Sequence, residues 1–69
     1  MEAQRYIKVI MADKAVKSGT LADNIGMDRQ AFYNTLYRKT MQYSEAERIA
    51  DALGCEIVWR DKTSGKEYN

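Results

Sequence analysis

Residues 21–39, LADNIGMDRQAFYNTLYRK, read as two short helices joined by a tight turn. Leu21, Ala22 and Ile25 recur at helical spacing, Gly26 interrupts them, and Met27 places an apolar residue in the connection. Asp28 is a good N-cap for a second helix running on from Arg29. Ala22 is small where two helices must approach closely, and Gly26 can take the positive φ that turns the chain sharply. This is a helix-turn-helix pattern. Phe32 and Leu36, at i and i+4, would anchor the second helix to a core, leaving Arg29, Gln30, Tyr33, Asn34, Tyr37 and Arg38 on its other face. Such a face has the chemistry to read DNA. Gln and Asn can pair bidentately with adenine, Arg with guanine, and Tyr or Arg can reach phosphate oxygens.

On the N-terminal side, residues 3–13 form a further helix with Tyr6, Ile7, Ile10 and Met11 as its apolar stripe and Arg5, Lys8 and Asp13 outside. Tyr6, like Phe32 and Ile49, is read as a core residue. Residues 14–19 are a break, with Val16 buried. The next helix, read over 18–25, starts anywhere from 17 to 21, since Thr20 followed by Asp23 can mimic a capping box. The third helix spans 29–38.

On the C-terminal side, Ser44 with Glu47 has the form of a capping box for a fourth helix, 45–53, on which Ala46, Ile49, Ala50 and Leu53 repeat until Gly54. The period then changes. Cys55, Ile57 and Trp59 alternate with Glu56, Val58 and Arg60, which suits a half-buried strand over 55–60. Residues 61–65, DKTSG, are turn chemistry, and 66–68 can pair back as a second strand. A lone hairpin is marginal in water. Either it folds onto its own helices, with Trp59 as the anchor, or its edge pairs with that of a second copy, making Ile57, Val58 and Trp59 a dimer interface. A twofold dimer would set two recognition helices about 34 Å apart, one turn of DNA. The expected fold is mainly α: a compact four-helix helix-turn-helix bundle with a C-terminal β-strand or short β-hairpin, residues 1–69 forming one domain.

Composition narrows the function. A chain of 69 residues has a small core and little room for a catalytic cleft with a lid, so binding is favoured over catalysis. The net charge of +1 is low for a nucleic-acid binder, but its distribution is uneven. Residues 1–43 hold seven Lys or Arg against four acids, +3, whereas residues 44–69 hold four against six, −2. One face is thus suited to phosphate and another points away. Cys55 is the single cysteine and histidine is absent, so neither an intrachain disulfide nor a Cys/His zinc site is expected, and a reducing compartment fits. No cofactor or metal is implied. Charges throughout the first fourteen residues argue against a secretory signal or membrane span, and a cytoplasmic protein is expected.

The segments LADNIGMDRQAF and ERIADALGC resemble the Leu-Ala-x-x-Leu-Gly-Val-Ser-Arg-Gln-Thr-Ile stretch and the fourth helix of the lambda-repressor-like, Cro-type (XRE) regulators of bacteria and phages. The resemblance covers roughly residues 6–54. It implies a bundle whose third helix enters the major groove. By the same resemblance Ser18 falls on a phosphate-contacting position at the start of the second helix. Arg29, Gln30, Tyr33 and Asn34 fall on base- or backbone-contacting positions, and Arg38 falls on one that meets phosphate. Asp28, Tyr37 and Lys39 complete the candidate DNA-binding set. Thr35 stands where the family commonly has a large apolar residue and Leu36 where it often has Glu. Either the helix is rotated or the core is repacked with Leu36 inside. The usual fifth helix is replaced by the strand from Cys55. The implied function is a sequence-specific DNA-binding transcriptional regulator of phage or mobile-element repressor type, dimeric on a palindromic operator. Two readings compete with it: a protein-interaction module gripping a partner through the tyrosine face, or an antitoxin-like protein combining both. For Arg29, Gln30 and Asn34 the plain alternative is a solvated helix face; Tyr33 and Tyr37 can meet phosphate and sugar or mark a protein interface, and Tyr37 can instead complete the core.

Overall fold

Four helices and a terminal hairpin make up the computed structural model, which describes residues 3–38 and 40–68. They are α1 (Ala3–Asp13), α2 (Ser18–Asn24), α3 (Arg29–Tyr37), α4 (Tyr43–Ala52), β1 (Trp59–Arg60) and β2 (Glu67–Tyr68). Each helix buries one stripe. Ile7 and Met11 of α1, Leu21 and Ala22 of α2, Phe32 and Leu36 of α3, and Ala46 and Ile49 of α4 meet in a single core closed by Leu53. Phe32, Leu21 and Ile49 are its largest fully buried side chains. Ala22 is completely inaccessible, because α2 packs against both α3 and α4.

Three helices end the same way. At the end of α1, Val16 N–H reaches back to Met11 O (2.8 Å) and Ala15 N–H to Ala12 O (3.2 Å), with Ala15 at φ +56°. At the end of α2, Met27 N–H bonds Ala22 O (2.9 Å) and Gly26 N–H bonds Asp23 O (3.2 Å), with Gly26 at φ +70°. After α4, Cys55 N–H bonds Ala50 O (2.8 Å) and Gly54 N–H bonds Asp51 O (3.0 Å), with Gly54 at φ +73°. This is the Schellman motif each time: a left-handed residue, then an apolar one that folds back. Val16, Met27 and Cys55 accordingly pack on the core while remaining partly accessible. Two of the three left-handed positions are glycine, and the third is an alanine whose Cβ opposes that conformation. Ala15→Gly should therefore raise stability by about 0.5–1 kcal/mol, the relief of Cβ strain outweighing glycine's entropy. On thermal melting that is a rise of about 2–8 °C.

Several local expectations are corrected. Tyr6 lies outside the core, 63% exposed, because the packed stripe of α1 runs through Ala3, Ile7 and Met11. α4 begins two residues before the expected 45, at Tyr43, with Gln42 rather than Ser44 as N-cap; Glu45 Oε1, not Glu47, accepts from the cap's N–H at 3.2 Å. The earlier start lengthens α4 without changing which side chains it buries, and it brings Tyr43 into the helix. Thr20 and Asp23 form no capping box: α2 starts at Ser18 from an extended Lys17, and Thr20 is inside the helix. The expected strand over 55–60 is paired only at Trp59 and Arg60, against Tyr68 and Glu67. Residues 55–58 keep the alternation, Cys55 and Ile57 inward and Glu56 and Val58 outward, but have no neighbouring strand among the described residues and instead lay their inward side chains on the core.

The hairpin projects from this bundle, and bundle and hairpin together measure 41 × 23 × 18 Å. Its tip is built by Asp61, whose Oδ1 accepts from Thr63 N–H (2.8 Å) and Ser64 N–H (2.9 Å), and by Gly65 at φ +76°. Arg60 and Glu67 are paired across it (2.8 Å), and the Trp59 ring stacks on Tyr43 of α4 with centroids 6.3 Å apart. Trp59 is nonetheless 63% exposed. The Ser64 and Thr63 amides hold the Asp61 carboxyl below its ordinary value of 3.8. Their stabilisation of the turn is complete above that value and is lost as pH falls through the lowered one. Acidification below pH 3.8 should thus open the hairpin before the helices: the Trp59 fluorescence changes while the far-ultraviolet helical signal persists.

Candidate nucleic-acid interface

The turn between α2 and α3 is fixed from three sides. Gly26 reverses the chain, Met27 packs on the core, and Asp28 Oδ2 accepts from Ala31 N–H at 3.0 Å to cap α3. The fourth helix adds a tie that has no signature in the local sequence: the Arg48 guanidinium donates to the Ile25 carbonyl at the end of α2. This contact joins residues 23 apart, so only the assembled bundle reveals it.

Along α3, Phe32, Thr35 and Leu36 face inward. Leu36 is inside the core, and the buried Thr35 hydroxyl is satisfied by donating to Ala31 O at 3.0 Å. A polar residue is accommodated there because its own helix takes up the hydrogen bond. The opposite face carries Arg29, Gln30 and Tyr33, all exposed, with Asn34 half-buried beside them. Gln30 Nε2 donates to Asn34 Oδ1 at 3.3 Å, one turn along, so the two amides form one linked polar surface. Tyr37 is 54% exposed and does not complete the core. Its ring lies 4.7 Å from that of Tyr33, tilted by 35°, and Lys8 Nζ of α1 sits 4.7 Å from its centroid. α1 thereby contributes a cation to the edge of the α3 face, through a contact that sequence reading did not identify.

Arg29, the first residue of α3, points back across the turn. Its Nη2 donates to Asp23 Oδ2 (2.6 Å) and its Nε to Asp23 Oδ1 (3.2 Å), a bidentate pair on the surface. The Arg29 hydrogen bond and charge hold the Asp23 carboxyl below its ordinary value, and Asp23 in turn raises the guanidinium. A Cβ added at Gly19 would stand 3.2 Å from Arg29 Cζ, so the glycine in the first turn of α2 leaves space for this guanidinium. Ser18, beside it, is exposed at the first position of α2, and Arg38 is exposed as the C-cap of α3. Lys39 lies outside the described residues. The structure thus places Ser18 and Asp28 on the helix-turn-helix frame, brings Gln30, Asn34, Tyr33 and Tyr37 onto one face, and engages Arg29 with Asp23.

A separate apolar groove of about 320 Å³ is lined by α1, α4 and residues 55–58, among them Tyr6, Ile7, Ile10, Ala50, Ile57 and Val58, and by no residue of α2 or α3. Among the described residues, no group of His, Cys, Asp or Glu could hold a metal ion. No described helix is long and apolar enough to cross a membrane. Residues 6–58 match the family described as the Cro/C1-type HTH DNA-binding domain. No curated protein and no solved structure matches the chain.

Proposed function

Because this chain belongs to the Cro/C1-type helix-turn-helix DNA-binding domains, and is therefore a DNA-binding regulator, we propose that it is a transcriptional repressor of phage or mobile-element type acting in the cytoplasm, without catalysis. The observation that carries the reading is the linked Gln30–Asn34 amide surface, presented by a helix whose start is capped by Asp28 and whose turn is held by Gly26 and Arg48. α3 lies in the major groove and reads about four or five base pairs per half-site. Ser18, Arg38, Lys39 and the Tyr33–Tyr37–Lys8 stack meet the phosphates and set the register.

Two copies bind a palindromic operator. The dimer forms through Ile57, Val58 and Trp59, with the apolar α1–α4 groove beside them as the surface the second copy covers. Charge supports a self-complementary contact. The exposed acids Glu47 and Asp51 lie on α4, whereas Lys62 and Lys66 remain on the hairpin once Arg60 has paired with Glu67 and Asp61 has bonded its own turn.

The test is fluorescence anisotropy with labelled duplexes from the DNA beside this protein's coding sequence, titrated at several salt concentrations against a scrambled duplex and a single half-site. Strong preference for one duplex, steep loss of affinity with salt and weak half-site binding are the expected results. Equal, weak binding to all duplexes would overturn the repressor reading.

A further inference from the structure

We propose that Asp23 is a positioning residue for DNA recognition, holding the Arg29 guanidinium so that one pair of its donors is aimed outward before DNA arrives; this rests on the DNA-binding reading above. The carboxylate occupies the Nε/Nη2 edge of Arg29, with contacts of 3.2 and 2.6 Å. The Nη1/Nη2 edge is left for a paired acceptor such as guanine O6/N7 or two phosphate oxygens. Three features fix the group. Asp28 caps α3 and so sets where Arg29 begins, Asp23 sits on the last turn of α2, and Gly19, four residues earlier, leaves the guanidinium room against that helix.

Stability does not account for the arrangement. Both partners are largely exposed, and surface ion pairs contribute little to folding, while glycine inside a helix is unfavourable. Orientation does account for it. An arginine already held in its bound rotamer loses less side-chain freedom on binding, and its planar fork discriminates only when correctly aimed. Asp23 also adds a negative charge near the phosphates, which weakens binding to any sequence. The residue therefore acts oppositely on the two kinds of binding: it favours the matched site and disfavours the rest.

The full chain is first used to enrich a duplex from a random-sequence pool. Affinities for the enriched and a scrambled duplex are then measured for the wild type, Asp23→Asn, Asp23→Glu, Arg29→Ala and the Asp23→Asn/Arg29→Ala pair. Asp23→Asn should bind the scrambled duplex about two- to threefold more tightly and lower the enriched-to-scrambled ratio about tenfold, with melting almost unchanged. Asp23→Glu should restore most of the ratio. In the Arg29→Ala background the Asn substitution should leave the ratio where it was. A ratio unchanged by Asp23→Asn, or a fall that persists without Arg29, overturns the proposal while leaving DNA binding intact. Failure to enrich any duplex overturns the DNA-binding reading and this inference with it.

Discussion

Phe32→Ala is expected to abolish cooperative folding at physiological temperature. Phe32 is completely buried, on the helix that also carries the candidate recognition face. Truncating a buried Phe costs about 3–5 kcal/mol, whereas a domain of this length has only about 3–10 kcal/mol in total. No other element can absorb the loss: α1, α2 and α3 all contribute to the same small core, and α3 packs on both of the others. Thermal melting by circular dichroism checks this. Tyr33→Ala, one residue along but 44% exposed, is the matched control and should shift the midpoint only slightly. A Phe32→Ala variant melting within a few degrees of the wild type would contradict the core assignment.

Replacing Gln30 and Asn34 together should lower affinity for the operator about a hundredfold while leaving the melting temperature nearly unchanged. Each amide, once paired with a base, carries about 1–3 kcal/mol of discrimination. The Gln30 Nε2 to Asn34 Oδ1 bond means that the residues are not independent. Asn34 holds one Gln30 hydrogen, leaving the second Nε2 hydrogen and Oε1 of Gln30 as a donor–acceptor pair that matches adenine N7 and N6. Asn34→Ala therefore removes Asn34's own contact and also loosens Gln30, and the double substitution should cost less than the sum of the singles. Strict additivity in a double-mutant cycle measured on the operator duplex would show that the amides act separately. An unchanged affinity in the double variant would place the reading surface elsewhere on the molecule.

Much of this was legible in the chain because it is written in local chemistry. Gly26, Asp28 and the Leu21–Ala22–Ile25 and Phe32–Leu36 spacings each encode a turn, a cap or a packed stripe within a few residues, and the structure has Gly26 at positive φ, Asp28 capping α3, and Leu21, Ala22, Phe32 and Leu36 buried. The readings that needed correction share a different property: each depended on which of two nearly equivalent local options the rest of the molecule favours. Tyr6 and Ile7 are neighbours on α1, and either could extend its apolar stripe until α4 and α3 select Ile7 and Met11. Gln42 with Glu45 and Ser44 with Glu47 are competing caps two residues apart, and the folded chain uses the earlier one, which brings Tyr43 into α4, where its ring stacks on Trp59. Alternation over 55–60 fits a strand, but a strand needs a partner along its length, and β2 supplies one only at Trp59 and Arg60.

The sequence by itself therefore determined the four helices, the turn between the second and third, the glycine-terminated helix ends and which side chains line the outer face of α3, since each follows from backbone preferences and periodicity over one or two turns. Only the tertiary structure decided how that face is presented. Arg48 reaching the end of α2, Lys8 over Tyr37, and Arg29 drawn onto Asp23 across Gly19 are contacts between separate elements. Their geometry exists only once the shared core has fixed the helices against one another.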